Sequence, residues 1–211
     1  MSKKYKFIAT LIYTLGIFCL LVVFVLGKTY NIPYEKFTGD PAYIYKSNPF
    51  NGVISNIGAL FWCTTASICL FSGRLLWSFG SKKQAVFLFY SGVFTTILLI
   101  DDFFMFHDFA VYYIVKHDFA QYFVLLSYAI FSIWYLLNFY TTIMKENYIF
   151  ISLAFFFLGT SVIIDIIFES EGLQYLIEDG FKFLGIISWM LFYTIASHRL
   201  VLENYKTINQ A

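Results

Sequence analysis

The 211-residue chain is 60% hydrophobic and 23% aromatic, and only 13% of its residues carry charge. A soluble domain has about 25% charged residues, so a water-soluble globule is excluded, in line with a mean hydropathy of +0.72. The formal net charge of +1 points to no partner, and no stretch interleaves basic and aromatic residues as nucleic-acid binders do.

Crossing a ~30 Å hydrocarbon core takes about 20 apolar residues. Six windows reach or approach that length. The expected fold is all-α, a polytopic membrane protein with one transmembrane domain over 1–211 and spans near 7–27, 52–73, 84–107, 119–144, 148–168 and 180–202.

Ser2-Lys-Lys-Tyr-Lys6 precedes the first apolar run. A basic start followed by an apolar stretch also describes a signal peptide, whose apolar region is about 7–15 residues long. The run Phe7–Gly27 is longer, and Val25-Leu-Gly-Lys28 is a poor cleavage site, so a retained span is expected. Residues 28–51 form the longest connection, an expected extracytoplasmic cap in which Pro33, Gly39 and Pro41 break helices. The second span carries Ser55-Asn56 early and Cys63-Thr-Thr-Ala-Ser67 midway, and a basic loop follows over 74–83. The third span ends in Asp101-Asp-Phe-Phe-Met-Phe-His-Asp108, the fifth holds Asp165, and an acidic connection over 169–179 leads to the sixth. Cys19, Cys63 and Cys69 lie in apolar spans without redox or metal spacing and read as small buried hydrophobes. Trp62, Trp77, Trp134 and Tyr148 read as packing or interfacial-belt aromatics, and His117 and His198 as interfacial residues.

Orientation follows from charge. With both termini on one side, that side collects nine basic residues and two acids, and the other collects five basic residues and eleven acids. Positive residues mark the cytoplasmic side, so the expected topology is N-in and C-in.

That topology puts Asn56, Asp101, Asp102, Asp165, Glu169, Glu178, Asp179 and Lys182 in one layer near the outer leaflet. A charge at the centre of a membrane helix costs about 2.5–3.5 kcal/mol on insertion scales, and less near the interface. These groups therefore need partners. Asp101 and Asp108 are seven residues apart and share a helix face, as do Asp165 and Glu169 at a spacing of four. Asp102 and His107 point elsewhere. Glu178 and Lys182 have the favourable Glu-before-Lys spacing. The strings Thr96-Ile-Leu-Leu-Ile-Asp101 and Thr160-Ser-Val-Ile-Ile-Asp165 repeat one Thr-to-Asp spacing on two spans of the same direction. A repeat that is more than coincidence would make Asp101 and Asp165 a facing carboxylate pair.

Gly52-Val-Ile-Ser-Asn-Ile-Gly58, Leu99-Ile-Asp-Asp-Phe-Phe-Met-Phe-His107 and Ile177-Glu-Asp-Gly-Phe-Lys-Phe-Leu-Gly-Ile186 resemble blocks of a family of small bacterial six-span membrane proteins without assigned chemistry. The likeness spans about residues 50–190 and implies a topology and a bacterial inner-membrane location, with no mechanism. Ser55-Asn56 and Ile100-Asp-Asp-Phe-Phe-Met105 are also similar to the Ser-Asn and Leu-Asp-Glu-Leu-Pro-Met blocks of alkaline ceramidases, metal-dependent membrane amidases. That resemblance would set Asp101 at their active-site aspartate. Tyr90 stands where they have a zinc-binding histidine, and their terminal His-x-x-x-His pair is absent, so their zinc site does not carry over.

Three functions fit the pattern. A divalent metal held by Asp101, His107, Asp108 and Asp165 or Glu169 would activate water to hydrolyse a lipid or amphiphile from the outer leaflet. In that enzyme Asp101, Asp102 and Lys182 are the catalytic candidates, a carboxylate as base and Lys182 on an oxyanion or head group. A proton- or cation-coupled transporter would use the same carboxylates. The inner halves, however, offer only Thr64, Thr65, Ser67 and Ser188 as a path. A structural or accessory subunit, in a homo-oligomer or larger membrane complex, would use Lys182 with Asp101 or Asp165 as a cross-link. Membrane lipids are the expected partners throughout, and the hydrolase is the most concrete of the three.

Overall fold

The computed structural model describes residues 3–39, 41–106, 120–167 and 172–210. Among the described residues the chain forms helices joined by turns, and no strand. Backbone in hydrocarbon must satisfy its own N–H and C=O groups, and an α-helix does so within one segment. Six helices are long and apolar enough to cross a membrane, so the chain is a multi-pass membrane protein. Contacts divide it into two units, Met1–Gly52 and Val53–Ala211.

The first unit is α1 (Lys3–Tyr30) followed by two single-turn helices, α2 (Glu35–Thr38) and α3 (Pro41–Ile44). The connection expected to lack helix therefore contains two turns of it. Pro41 opens α3, because a first-turn position needs no backbone N–H and suits the fixed φ of proline. Tyr34 folds back to stack on Phe24, with ring centroids 6.0 Å apart.

The second unit contains α4 (Val53–Ser78), α5 (Lys82–Phe104), α6 (Ala120–Ile143), α7 (Tyr148–Ile167) and α8 (Leu173–Asn209). α4 packs on α5 and α8, and α7 on α8, which gives a row ordered α5, α4, α8, α7; α6 touches α5 only lightly. α5 and α8 run antiparallel. Lys182 near the start of α8 pairs with Asp102 at the end of α5, and Asn204 near its far end bonds Ser81 just before α5 begins.

Two helix ends differ from the sequence expectation. α5 stops at Phe104, because Met105 takes a left-handed conformation (φ 47°) and its N–H bonds the Asp101 carbonyl. A non-glycine residue there costs about 1–2 kcal/mol, and the apolar run Phe103–Phe106 gives no warning of the stop. α8 has 37 residues, about 55 Å at 1.5 Å per residue, and so carries helix through both polar flanks of the expected span. No proline or helix-ending glycine interrupts it. The tail is fastened by Asn204 to the Leu200 carbonyl (2.7 Å) and Thr207 to the Glu203 carbonyl (3.0 Å).

Small residues set the helix spacing. A Cβ on Gly92 would lie 2.7 Å from Leu70 Cγ, and one on Gly185 would lie 2.7 Å from Leu158 Cγ and 3.0 Å from its backbone N. In hydrocarbon the gain from association is close packing, which small residues permit. Four threonine hydroxyls inside the spans are satisfied locally: Thr64, Thr65, Thr96 and Thr160 each donate to the carbonyl four residues back, all at 2.8 Å. Of the three cysteines only Cys69 is buried, while Cys19 and Cys63 are exposed. The expectation of burial fails for those two because apolar residues of a membrane helix also face lipid. Trp62 is packed, whereas Trp77, Trp134 and Tyr148 are exposed.

At the centre of the second unit, Tyr193 OH donates to Tyr135 OH (2.9 Å), Tyr135 OH lies 2.6 Å from Ser91 Oγ, and Ser91 Oγ donates to the Phe87 carbonyl (2.7 Å). Each hydroxyl has one proton, so the order is fixed: Tyr193 to Tyr135 to Ser91 to Phe87. All three side chains have zero exposure, and the chain joins α8, α6 and α5. Beside it, Trp189 Nε1 donates to Thr95 Oγ1 at 3.0 Å.

At the α6–α7 turn, Arg199 Nη2 donates to the Lys145 carbonyl (2.6 Å) and to Glu146 Oε1 (2.8 Å). Burial pushes the Glu146 carboxyl above its ordinary pKa, and the Arg199 guanidinium opposes that rise.

Candidate functional site

The buried residues of α6 all lie in its second half: Tyr135, Phe139, Thr142 and Ile143. Its first half does not close against the row of four helices, and a cavity of about 600 Å³ occupies the space, lined from all five helices of the second unit. Small-molecule sites commonly measure about 300–1,000 Å³.

The two ends of this cavity differ chemically. At one end are Asp101 and Asp102 from the last turn of α5, Asp165 from the last turn of α7, and Glu178 and Lys182 from the early turns of α8. The remainder is mostly apolar: Trp62, Phe94, Leu98, Leu136, Phe155 and Trp189 are among the lining residues. Trp189, 1% exposed, sets its ring edge-on to Phe94, Trp62 and Phe155 at 5.6–5.9 Å. Tyr193 packs on it at 5.1 Å, so the buried hydroxyl chain lies directly behind this wall.

Helix geometry explains why the charged end needs several helices. A carboxylate in the last turn of a helix opposes the macrodipole, which favours cations there by about 0.3–1 kcal/mol. Asp101 and Asp102 both stand in that position on α5. Asp102, with a side chain 9% exposed, forms a salt bridge to Lys182 of α8. Asp101 is 6% exposed and accepts a hydrogen bond from Tyr128 of α6. The two carboxylates thus tie α5 to opposite neighbours. On the other side of the Asp102–Lys182 pair is a pocket of about 20 Å³, lined also by Ser55 and Asp179, with room for about one water molecule.

Of the sequence candidates, Asp101, Asp102, Asp165, Glu178 and Lys182 come together on the large cavity, and Asp179 lines the small one. Asn56 is exposed on the first turn of α4 and lines neither. His107, Asp108 and Glu169 lie outside the described residues. Among the described residues no group of three or more His, Cys, Asp and Glu side chains is gathered as a metal site. Asp102 shares the cavity with Asp101 although the two are about 100° apart on the helix, because the cavity wraps around the end of α5. Asp101 and Asp165, the acids of the repeated Thr-to-Asp strings, both line it.

Sequence reasoning missed Tyr128, Ser132 and Tyr135. Their spacing of four and then three puts them on one face of α6, and that stripe of hydroxyls in an apolar helix was the available signal. The first meets Asp101, the second lines the cavity and the third holds the hydroxyl chain.

Fold and site together define a polytopic helical membrane protein with a cavity that has one charged end and mostly apolar walls. The chain belongs to the family described as Domain of unknown function (DUF8692), whose model matches residues 14–196. The expected kinship with a membrane-protein family of no assigned chemistry therefore holds. No curated protein and no solved structure matches the chain.

Proposed function

We propose that this membrane protein binds a lipid-like amphiphile inside its second unit. The head group meets Asp101, Asp102, Asp165, Glu178 and Lys182, and the hydrocarbon lies against Trp62, Phe94, Leu98 and Phe155. One observation carries the reading: a cavity of about 600 Å³ whose charged groups sit at one end and whose walls are apolar. The loosely held first half of α6 gives the ligand a sideways route from the bilayer. With the C-terminal end of α8 on the cytoplasmic side, as the charge distribution favours, the head group sits in the outer leaflet. Hydrolysis of the ligand is the chemistry such a head-group site would perform, a carboxylate acting as base and Lys182 holding the oxygen that gains charge. Transport has less support, because fully buried Trp189, Tyr135 and Tyr193 stand across the inner side of the cavity.

The test is retention of amphiphile through purification, read by native mass spectrometry. Gly159 lines the cavity with open space where a side chain would go, so Gly159→Phe fills part of the volume. Wild-type protein should retain a lipid-sized ligand, and Gly159→Phe should retain much less at unchanged helix content. Equal retention, or none in the wild type, refutes the proposal.

A further inference from the structure

We infer that the aromatic floor of this cavity limits the ligand's hydrocarbon chain to about 8–12 carbons, with Trp189 as the stop. The inference rests on the amphiphile-binding reading above and adds which amphiphiles the site takes.

Among the described residues, the last to line the cavity on α4, α5, α7 and α8 are Trp62, Phe94, Phe155 and Trp189. These four meet. The ring centroids of the other three lie 5.6–5.9 Å from that of Trp189, so four helices end the cavity at one level. Counted back to the polar end, that level is eight residues from Asp102 on α5, ten from Asp165 on α7 and seven from Lys182 on α8. At 1.5 Å per residue these are about 12, 15 and 10 Å. Carbon–carbon bonds of ~1.52 Å at ~111° advance an extended chain by about 1.25 Å each, so this depth admits about 8–12 carbons.

Trp189 is held in place as a stop. Its Nε1 donates to Thr95 Oγ1 at 3.0 Å, and Thr95 Oγ1 donates in turn to the Ser91 carbonyl at 2.8 Å. Tyr193 packs on the same ring at 5.1 Å. Turning the indole aside would strand a buried N–H, which costs more than the bond itself is worth. A longer chain has no straight way past it either. Tyr135 and Phe139 of α6 are buried there against Phe87 of α5, at 6.0 and 5.4 Å. Extra carbons must bend back within the cavity or keep the head group from its polar end. Chains reaching the middle of a ~30 Å hydrocarbon core cover about 15 Å, the upper limit of this depth. The floor therefore works against the long-chain lipids that surround the protein in excess, as selection between similar ligands requires.

The experiment mixes octanol, dodecanol and hexadecanol at equal mole fractions into nanodiscs holding the full chain, and reads bound alcohol by native mass spectrometry. The uncharged head group keeps the comparison independent of the charged end. Octanol and dodecanol should bind the wild-type protein, and hexadecanol at least tenfold less than dodecanol. Trp189→Ala should raise hexadecanol several-fold relative to octanol, a direction that misfolding cannot produce. Phe155→Ala takes a second ring out of the same floor and should shift the preference the same way; it carries the test if Trp189→Ala fails to fold. Hexadecanol bound as well as dodecanol in wild type, or no shift in a folded variant, overturns the inference while the amphiphile site stands. Binding of none of the three overturns both.

Discussion

Replacing Tyr135 with phenylalanine removes the middle hydroxyl of the one-way chain behind the cavity and leaves the ring packing in place. Tyr193 then loses the hydroxyl it donates to at 2.9 Å, and Ser91 loses a donor, both at zero exposure. Stranding a buried donor costs about 1–3 kcal/mol, whereas a hydrogen bond whose loss strands nothing is worth a net of about 0.5–1.5 kcal/mol. Polar links between membrane helices average about 0.6 kcal/mol, with a maximum near 1.7, so the lower half of each range applies. Tyr135→Phe should therefore cost about 1–2 kcal/mol. Tyr193→Phe uncovers only a lone pair on Tyr135, which still donates to Ser91, and should cost about 0.5 kcal/mol. The double variant has no stranded tyrosine proton and should be no less stable than Tyr135→Phe alone, a departure from additivity that a double-mutant cycle reads directly. Unfolding in mixed micelles of rising denaturing-detergent fraction, followed by tryptophan fluorescence, measures all three. Trp189 packs on Tyr193 and reports the same region. Equal costs for Tyr135→Phe and Tyr193→Phe, or a double variant costing the sum of the singles, would refute the donor order.

Two further outcomes follow from the packing and from the far end of the bundle. Gly185→Ala drives a Cβ to within 2.7 Å of Leu158 Cγ and 3.0 Å of its backbone N and should cost about 1–3 kcal/mol by overpacking. Gly180→Ala on the same helix meets nothing within 4 Å and should be neutral or stabilising by up to about 1 kcal/mol; the same detergent titration separates them. Burial raises the Glu146 pKa, so its burial contribution is full below the ordinary glutamate range and is lost as pH rises through the raised value, whereas the Arg199 interaction stabilises only the ionised form. Arg199→Met should thus be less stable than wild type at pH 7, with a gap that narrows as pH falls into the carboxylate range; a gap constant with pH contradicts the assignment.

How far the residues announced this architecture depends on which property was being read. Hydropathy fixes depth, because every residue of a span must sit at some level in the bilayer. Asp101, Asp102, Asp165, Glu178 and Lys182 could therefore be assigned to one layer from counting alone, and all five line the same cavity. Position around each helix was harder to infer. In water the buried face of a helix is its apolar face, but in lipid both faces are apolar, and exposed Cys63 and buried Cys69 read alike. Lys182 illustrates the loss: Asp101 and Asp165 were the candidates expected beside it, and Asp102, whose position around the helix seemed to point elsewhere, forms a salt bridge to it. The stop at Met105 was hidden for a different reason, since a left-handed turn in a non-glycine residue is held by its surroundings rather than by its own preference.

In a span with apolar residues on every side, the informative positions are the few hydroxyls, amides and charges, because each must find a partner. On α6, Tyr128, Ser132 and Tyr135 repeat at helical spacing, and on α5 so do Ser91, Thr95 and Asp102. The partners change along these stripes, with Thr95 and Asp102 meeting α8 and Ser91 meeting α6. Towards Tyr135 and Ser91 the hydroxyls meet directly and shut out everything else. Towards the other end Tyr128 still meets α5 through Asp101, and Tyr128, Asp101 and Asp102 line the cavity. Among the described residues, the half around Tyr135 and Ser91 is closed by satisfied hydrogen bonds and packed rings, and the half carrying the charges borders the cavity. The paired Lys182 and Asp102 stand at its edge, and the cavity lies beside them.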